Sequence, residues 1–451
     1  MNRVTKRTWL MAVFIAVLLG GMLFFLWEYT TRAGDWISSG SVNIATGTVT
    51  DRSGTLLLDM GSSRTYSQDK TTRMSTLHWL GDRNGAIKAA AVNGYRAEMA
   101  GFNLVSGIYN GTSAGGQARL TLSAKVQNTA YQAMDGRNGV VAVYNYKTGE
   151  ILCAVTTPTF DPDNVPDIAA DTTGKYEGVY LNRFLQSAYI PGSIFKVVTT
   201  GAALESVPDI LDKTFTCTGA YGKGEEKVTC EKAHGKLDLK GALAHSCNCA
   251  FAQISEVVGK SNMEKYVDQF QVVQSLAFDG VTTAKGNYDI ADTGSVSFAW
   301  SCIGQHTDQI NPARYMTFMG AIAAGGKGAE PYLMEAVFSG EDQTYQAKTR
   351  QGKRIMSGDT AATLKEYLRN NVQTIYGTGN FPGLTVGAKS GTSQLGGGQK
   401  SNAMFAGFVD DERYPLAFIV VVENGGYGSA TCVPIISKVL AACKTVLDGE
   451  G

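Results

Sequence analysis

Three short motifs carry the residue types of nucleophilic catalysis: Ser193-Ile194-Phe195-Lys196, Ser246-Cys247-Asn248 and Lys389-Ser390-Gly391-Thr392, in that order along the chain. S-x-x-K and S-x-N each arise by chance in long chains. The ordered triple, with its third member in a strand-like setting, points to a serine that forms an acyl-enzyme. A serine hydroxyl is a poor nucleophile at neutral pH, and a free lysine, with a pKa of about 10.4, is too protonated to take its proton. Lys196 therefore needs burial and a second cation beside it to serve as the base, and Lys389 is the candidate for that cation. Lys389 would also present positive charge to a substrate carboxylate.

The surrounding residues predict the elements that hold these groups. Pro191 and Gly192 break the chain and an apolar run to Leu204 follows, so Ser193 opens a helix with Lys196 on the same face. Without Lys196 and the other motifs, Ser193 would read as a helix N-cap. The second motif lies between Leu237–Leu243 and the helical-looking Phe251–Val258, as a loop or helix junction where Ser246 relays a proton and Asn248 holds a substrate amide. Cys247, Cys249 and His245 raise metal or thiol chemistry, but C-x-C with one flanking His has no zinc spacing, and no metal is expected. The third motif lies on a strand that continues through a glycine-rich loop, Gly396–Gly398, into a strand over Asn402–Val409, and a third strand follows over Tyr414–Val422. Gly391 lets a substrate backbone come close, and the strand amides beside it can complete an oxyanion hole.

The chain has 451 residues with 40 basic against 40 acidic side chains, which leaves no electrostatic footprint for nucleic acid and exceeds one ordinary domain. Trp9–Trp27 is apolar apart from Gly20 and Gly21. At about 1.5 Å per residue it can cross a hydrocarbon core of roughly 30 Å. Arg3, Lys6 and Arg7 precede it and Glu28 follows, so the N-terminus is expected in the cytoplasm and the rest outside. A cleaved signal is the competing reading. The long apolar run, with no A-x-A site in Glu28–Gly34, favours an uncleaved anchor.

Farther on, Gly47–Leu58 reads as strand, turn and strand. Ala124–Met134 reads as an amphipathic helix, and Gly139–Tyr144 with Ile151–Val155 as an antiparallel pair about the Lys147-Thr148-Gly149 turn. A helical middle and strands after Thr385 make an α+β domain whose mostly antiparallel sheet collects strands from both ends of the sequence. Cys217 and Cys230 flank the excursion Thr218–Thr229; a bridge between them would be worth about 3 kcal/mol, and two free thiols are the alternative. Cys153, Cys302 and Cys443 read as small buried hydrophobes. The four histidines are too few and too scattered for a Ser-His-Asp triad, so His234 and His306 read as structural. Thr76–Gly81 reads as packing and Glu423–Gly426 as a turn.

These motifs resemble the penicillin-binding proteins, specifically the monofunctional class B D,D-transpeptidases that cross-link bacterial peptidoglycan. Further landmarks are Leu181-Asn182-Arg183, Lys147–Leu152, Phe160-Asp161-Pro162, His234-Gly235, and Ile303-Gly304-Gln305 before Asn311-Pro312, so the likeness runs from about residue 118 to the end. It implies a penicillin-binding transpeptidase fold, an antiparallel sheet flanked by helices, over 118–451. A small β-containing pedestal at 38–117 carries a D-R-x-G hairpin at Asp51–Gly54, short for the class; the anchor is 8–28 and the cytoplasmic tail 1–7.

By the same resemblance Ser193 is acylated by the penultimate D-Ala of a stem peptide ending in D-Ala-D-Ala, with Lys196 as base. Ser246 and Asn248 shuttle protons and orient substrate, and Lys389, Ser390 and Thr392 bind its carboxylate. The backbone amides of Ser193 and Thr392 form the oxyanion hole. β-Lactams are pseudo-substrates, no cofactor is needed, and a membrane glycan polymerase of the shape, elongation, division and sporulation (SEDS) family is the implied partner. A β-lactamase, a penicillin sensor and a catalytically quiet partner of a polymerase share the motifs. The first would need a deacylating glutamate loop, the second more spans, and the third would not need intact motifs.

Overall fold

The computed structural model describes residues 3–38, 47–61, 64–99, 102–103, 108–109, 116–223, 226–291, 293–394 and 400–449. The loop Gly396–Gly398 and parts of 38–117 lie outside these residues.

Five strands, β1 (Gly139–Asn145), β2 (Ile151–Thr157), β3 (Val386–Ser393), β4 (Asn402–Val409) and β5 (Leu416–Val422), pair antiparallel in the spatial order β3-β4-β5-β1-β2. Every residue of β1, β2, β4 and β5 is buried, as the unbroken apolar runs of a sheet covered on both faces require. The covering helices include α1 (Ala124–Met134), α2 (Lys196–Ser206), α3 (Asn248–Val258), α4 (Pro312–Ala323), α5 (Gly358–Asn371) and α6 (Gly428–Gly449). Val126 and Met134 of α1 and Ile436, Val439 and Leu440 of α6 share one core with Val141, Val143 and Phe418. Met316 and Met319 of α4 pack in the core on the other face with Ala142 and Ile419. Helix α6 is apolar enough to span a membrane, but its buried side chains against the sheet make it a core helix.

A second sheet has six strands in the order Asp342–Gln346, Met334–Ser339, Gly116–Leu120, Thr48–Thr50, Leu56–Asp59, Thr65–Tyr66. It differs from the contiguous division at residue 118. The central strand Gly116–Leu120 has two edges to satisfy, and takes Thr48–Thr50 in parallel on one and the hairpin 334–346 on the other. That partner comes from more than 200 positions away, and no local sequence pattern announces it. The D-R-x-G turn has a physical reason: Asp51 accepts from Ser53 N (2.9 Å) and Thr55 N (2.8 Å), and from Ala124 N at the start of α1 (2.9 Å). One carboxylate thus closes the hairpin and ties it to α1. The helix Lys70–Leu80 is anchored likewise, Trp79 Nε1 donating to Ala154 O at 2.7 Å.

At the N-terminus a helix over Arg3–Ser38 contains the 24-residue stretch Val4–Trp27, long and apolar enough to cross a membrane, with its large side chains exposed.

Candidate active site

Gly192–Phe195 forms a 3-10 turn that runs into α2 at Lys196. Residues three apart eclipse in such a turn, so the Lys196 amine stands beneath the Ser193 hydroxyl, 2.9 Å from it. Gly192 has φ +56°, and a Cβ there would meet Thr392 O at 2.6 Å; a Cβ on Gly391 would meet Pro191 O at 2.7 Å. Glycine at both positions is what lets the edge strand β3 lie against the serine turn.

Ser246 and Asn248 flank the junction between the helix Leu239–Ala244 and α3. Ser246 is held at φ +52°, a strained conformation for a residue with a Cβ and one that concentrates at functional sites. It turns both its oxygens to Lys196, whose Nζ lies 2.7 Å from Ser246 O, 3.1 Å from Ser246 Oγ and 2.6 Å from Asn248 Oδ1. Asn248 Nδ2 donates to Thr229 O at 2.8 Å. Lys389, from β3, donates to Ser246 Oγ at 3.0 Å and to Ser390 O at 2.9 Å. Lys196 and Lys389 are both fully buried. Burial, then the charge of Lys389, push Lys196 well below the ordinary lysine range, and burial lowers Lys389 to about 7.

Strand β3 is an edge of its sheet. Ser390 N donates to Tyr376 OH (2.9 Å) and Thr392 O accepts from Gln305 Nε2 (2.7 Å), so residues 390 and 392 turn their backbone groups to the open edge. The N–H of Thr392 therefore points the same way as its carbonyl, toward the serine turn. Ser390 Oγ lies 2.9 Å from Tyr376 OH, and Thr392 Oγ1 accepts from Gly428 N at 3.1 Å.

No sequence motif marks Tyr376, which lies 14 residues before Ser390 on a separate short helix. Gln305 was legible only as part of a family landmark. Glu423, read as a turn residue, forms a two-pronged ion pair with Arg183 at 2.8 and 3.1 Å and accepts from Tyr189 OH at 2.8 Å.

For Cys217 and Cys230 the sequence allows a bridge or two free thiols, and the structure has the second; every cysteine is free. Cys230 Sγ lies 3.7 Å from Cys247 Sγ, while Cys217 Sγ lies 3.5 Å from His234 Nδ1. The expectation of no metal site rested on neighbours in sequence, Cys247, Cys249 and His245. The fold instead gathers Cys217, Cys230, His234 and Cys247, whose ligand atoms all lie within 4.8 Å of one another. Cys153, Cys302 and Cys443 are buried in apolar surroundings.

Residues 139–441 match the family described as the penicillin binding protein transpeptidase domain. Among curated proteins, the peptidoglycan D,D-transpeptidase PbpA of Mycolicibacterium smegmatis is 28% identical over 384 residues, covering 78% of this chain and 77% of that one. Stage V sporulation protein D of Bacillus subtilis is 28% identical over 353 residues, covering 71% of this chain and 52% of that protein. Among solved structures, the ceftriaxone acyl-enzyme of penicillin-binding protein A from M. tuberculosis superposes with a TM-score of 0.74 at 22% identity, over 88% of this chain and 98% of that one. Its fold is shared by this chain. With the family match spanning most of the sequence, and with the two motif lysines converging on Ser246 beside Ser193, the chain belongs to the penicillin-binding protein transpeptidase family.

Proposed function

We propose that this protein is a peptidoglycan D,D-transpeptidase that works through a Ser193 acyl-enzyme and is inhibited by β-lactams. The observation that carries this reading is the bonding of Lys196 Nζ to both Ser193 Oγ and Ser246 Oγ, with Lys389 on the far side of Ser246. Lys196 has four acceptors within 3.1 Å but an ammonium has only three hydrogens. The neutral amine that catalysis requires makes three of these contacts as well: it donates to Ser246 O and Asn248 Oδ1 and offers its lone pair to the Ser193 O–H. Burial and the Lys389 charge favour that neutral form.

Ser193 Oγ attacks the penultimate D-Ala carbonyl as Lys196 takes its proton. The N–H groups of Ser193 and Thr392 face the developing oxyanion. The proton passes through Ser246 to the departing terminal D-Ala amine, and the return path deprotonates the acceptor amine that resolves the ester. Lys389, Ser390 and Thr392 bind the substrate's terminal carboxylate, and Gly391 lets the peptide lie along β3 as an added strand. A β-lactam enters by the same route and leaves a blocked ester. Penicillin-binding protein A from M. tuberculosis, solved as its ceftriaxone, imipenem and penicillin G acyl-enzymes, supports this course.

The apolar stretch from residue 8 on anchors the chain in the membrane, with the tail 1–7 inside and the domains outside, as Arg3, Lys6 and Arg7 of that tail favour. The pedestal, made of 38–117 and the hairpin 334–346, lifts the catalytic domain toward its substrate and toward a SEDS-family polymerase.

The test is intact mass of the full chain in detergent, incubated with benzylpenicillin, with Ser193→Ala as control. A persistent adduct absent from the variant is expected. Drug consumption with an adduct that clears in seconds would make it a β-lactamase, and no adduct would overturn the enzymatic reading.

A further inference from the structure

The four ligand-bearing residues described above form the pattern C-x12-C-x3-H-x12-C over Cys217–Cys247. Cys217 ends the strand Phe215–Cys217, which pairs with Gly235–Leu237 and so brings His234 alongside. Cys230 follows the hairpin Ala220–Thr229, and Cys247 caps the N-terminus of α3. Tetrahedral zinc, with Zn–S of about 2.3 Å and Zn–N of about 2.0–2.1 Å, sets its ligand atoms about 3.5–3.8 Å apart. The observed Sγ–Sγ separation of 3.7 Å and Sγ–Nδ1 separation of 3.5 Å have that spacing, and 3.7 Å is far too long for a disulfide. Two backbone amides donate to the sulfurs, Cys249 N to Cys230 Sγ at 3.2 Å and Ala250 N to Cys247 Sγ at 3.4 Å, an arrangement that suits thiolates holding a cation. Cys249 turns instead to Val228 O and is not a ligand.

We propose that Cys217, Cys230, His234 and Cys247 bind a structural zinc ion that fixes the Ser246-Cys247-Asn248 junction against the serine. Four protein ligands close the coordination sphere, so the metal holds and does not hydrolyse. What it holds is specific. Cys247 lies between Ser246 and Asn248, both bonded to Lys196, and the hairpin it is tied to supplies Thr229 O to Asn248. Zinc would clamp the strained Ser246 backbone from one side while Lys196 and Lys389 bond its hydroxyl from the other. In an exported protein the ion would also keep Cys230 and Cys247 from being oxidised to each other.

The effect on acylation rests on the transpeptidase reading, whereas zinc content does not. The full chain, purified in detergent without chelator, is assayed for metal by elemental mass spectrometry and for acylation by benzylpenicillin. Wild type and Cys249→Ser should carry close to one zinc per chain, and Cys217→Ser should lose it. His234→Cys should keep both zinc and acylation, while His234→Ala loses zinc and is acylated more slowly by at least about tenfold. Should Cys217→Ser fail to fold, cobalt loaded into the wild-type chain should show the thiolate charge-transfer and intense visible bands of a tetrahedral site. A metal-free wild-type chain, a Cys230–Cys247 disulfide, zinc retained in Cys217→Ser, or weak octahedral cobalt bands would each overturn the site. Unchanged acylation in zinc-free His234→Ala would overturn its positioning role. A chain that holds zinc but is never acylated would refute the transpeptidase reading alone.

Discussion

Two buried cationic groups in this protein are built in opposite ways. Arg183 is met by Glu423 at 2.8 Å, and its remaining donors go to Gly178 O and Glu177 O at 2.8 and 3.1 Å. Lys196 and Lys389 are as deeply buried, yet among the described residues neither is paired with a carboxylate; their partners are hydroxyls, an amide and backbone carbonyls. The difference separates scaffold from chemistry. A desolvated cation opposite a carboxylate keeps its charge and locks two segments, here the Arg183–Gln186 helix and the end of β5. A desolvated cation facing another cation surrenders its proton, and an amine without its proton is a base.

The contrast breaks most visibly at Lys196. Lys196→Met should lower benzylpenicillin acylation by about a hundred- to ten-thousand-fold, the usual worth of a general base. Its thermal midpoint should equal or exceed the wild type, because Ser246 and Asn248 are partly exposed and water can take the lost bonds. A fall in stability as large as that expected for Arg183 would mean that the site is no different from the scaffold.

Arg183 and Glu423 should show the reverse. Glu423→Gln leaves a nearly buried guanidinium without its counter-charge and should cost about 3 kcal/mol in denaturant unfolding. The fraction that remains folded should acylate within about threefold of wild type, since the pair touches none of the reacting groups. Loss of acylation without loss of stability would place Glu423 in the chemistry.

How far the sequence disclosed this division depended on range. The apolar runs of β1, β4 and β5 and the periodicity of α1 were legible because burial on two faces, or on one, leaves its mark on consecutive residues. Ser193, Lys196, Ser246, Asn248 and Lys389 were legible as short motifs, since each motif is itself a local structure: a 3-10 turn, a helix cap, an edge strand. Glu423 looked like a turn residue because Arg183 lies 240 positions away. The hairpin 334–346 was invisible as a pedestal element for the same reason. The cysteine cluster was missed because only the pairing of Phe215–Cys217 with Gly235–Leu237 brings its members together.

His78 sharpens the comparison by offering the lysines' physics without their chemistry. It is fully buried on the helix Lys70–Leu80 with Nε2 donating to Val179 O at 2.8 Å, and burial, opposed by that bond and aided by the Arg183 charge, lowers it to about 4. The unfolded chain, with a histidine pKa of 6.5, binds the proton first, so stability is full above that value and is lost as pH falls toward 4. Unfolding free energies from urea titrations at pH 7 and pH 5 should differ by about 2 kcal/mol more for wild type than for His78→Asn. Taking the difference between the two proteins removes Asp308, whose burial raises its carboxyl to about 8 and which therefore acts in the opposite direction. Equal pH slopes would mean that His78 is protonated where it lies.

The smallest effect belongs to Tyr376, where scaffold and site meet. Its hydroxyl accepts from Ser390 N and shares a second hydrogen bond with Ser390 Oγ, both at 2.9 Å. With the Tyr376 hydrogen on that bond, the Ser390 hydroxyl hydrogen is left to point at an incoming carboxylate. Tyr376→Phe removes no reacting atom but frees the serine to rotate and strands its amide, a loss of about 1 kcal/mol. Stopped-flow acylation should therefore show a dissociation constant for benzylpenicillin raised about fivefold, with the limiting acylation rate near wild type. If the limiting rate falls instead and the affinity holds, Ser390 and Tyr376 act on the transition state and belong with the two lysines, not with the groups that orient substrate.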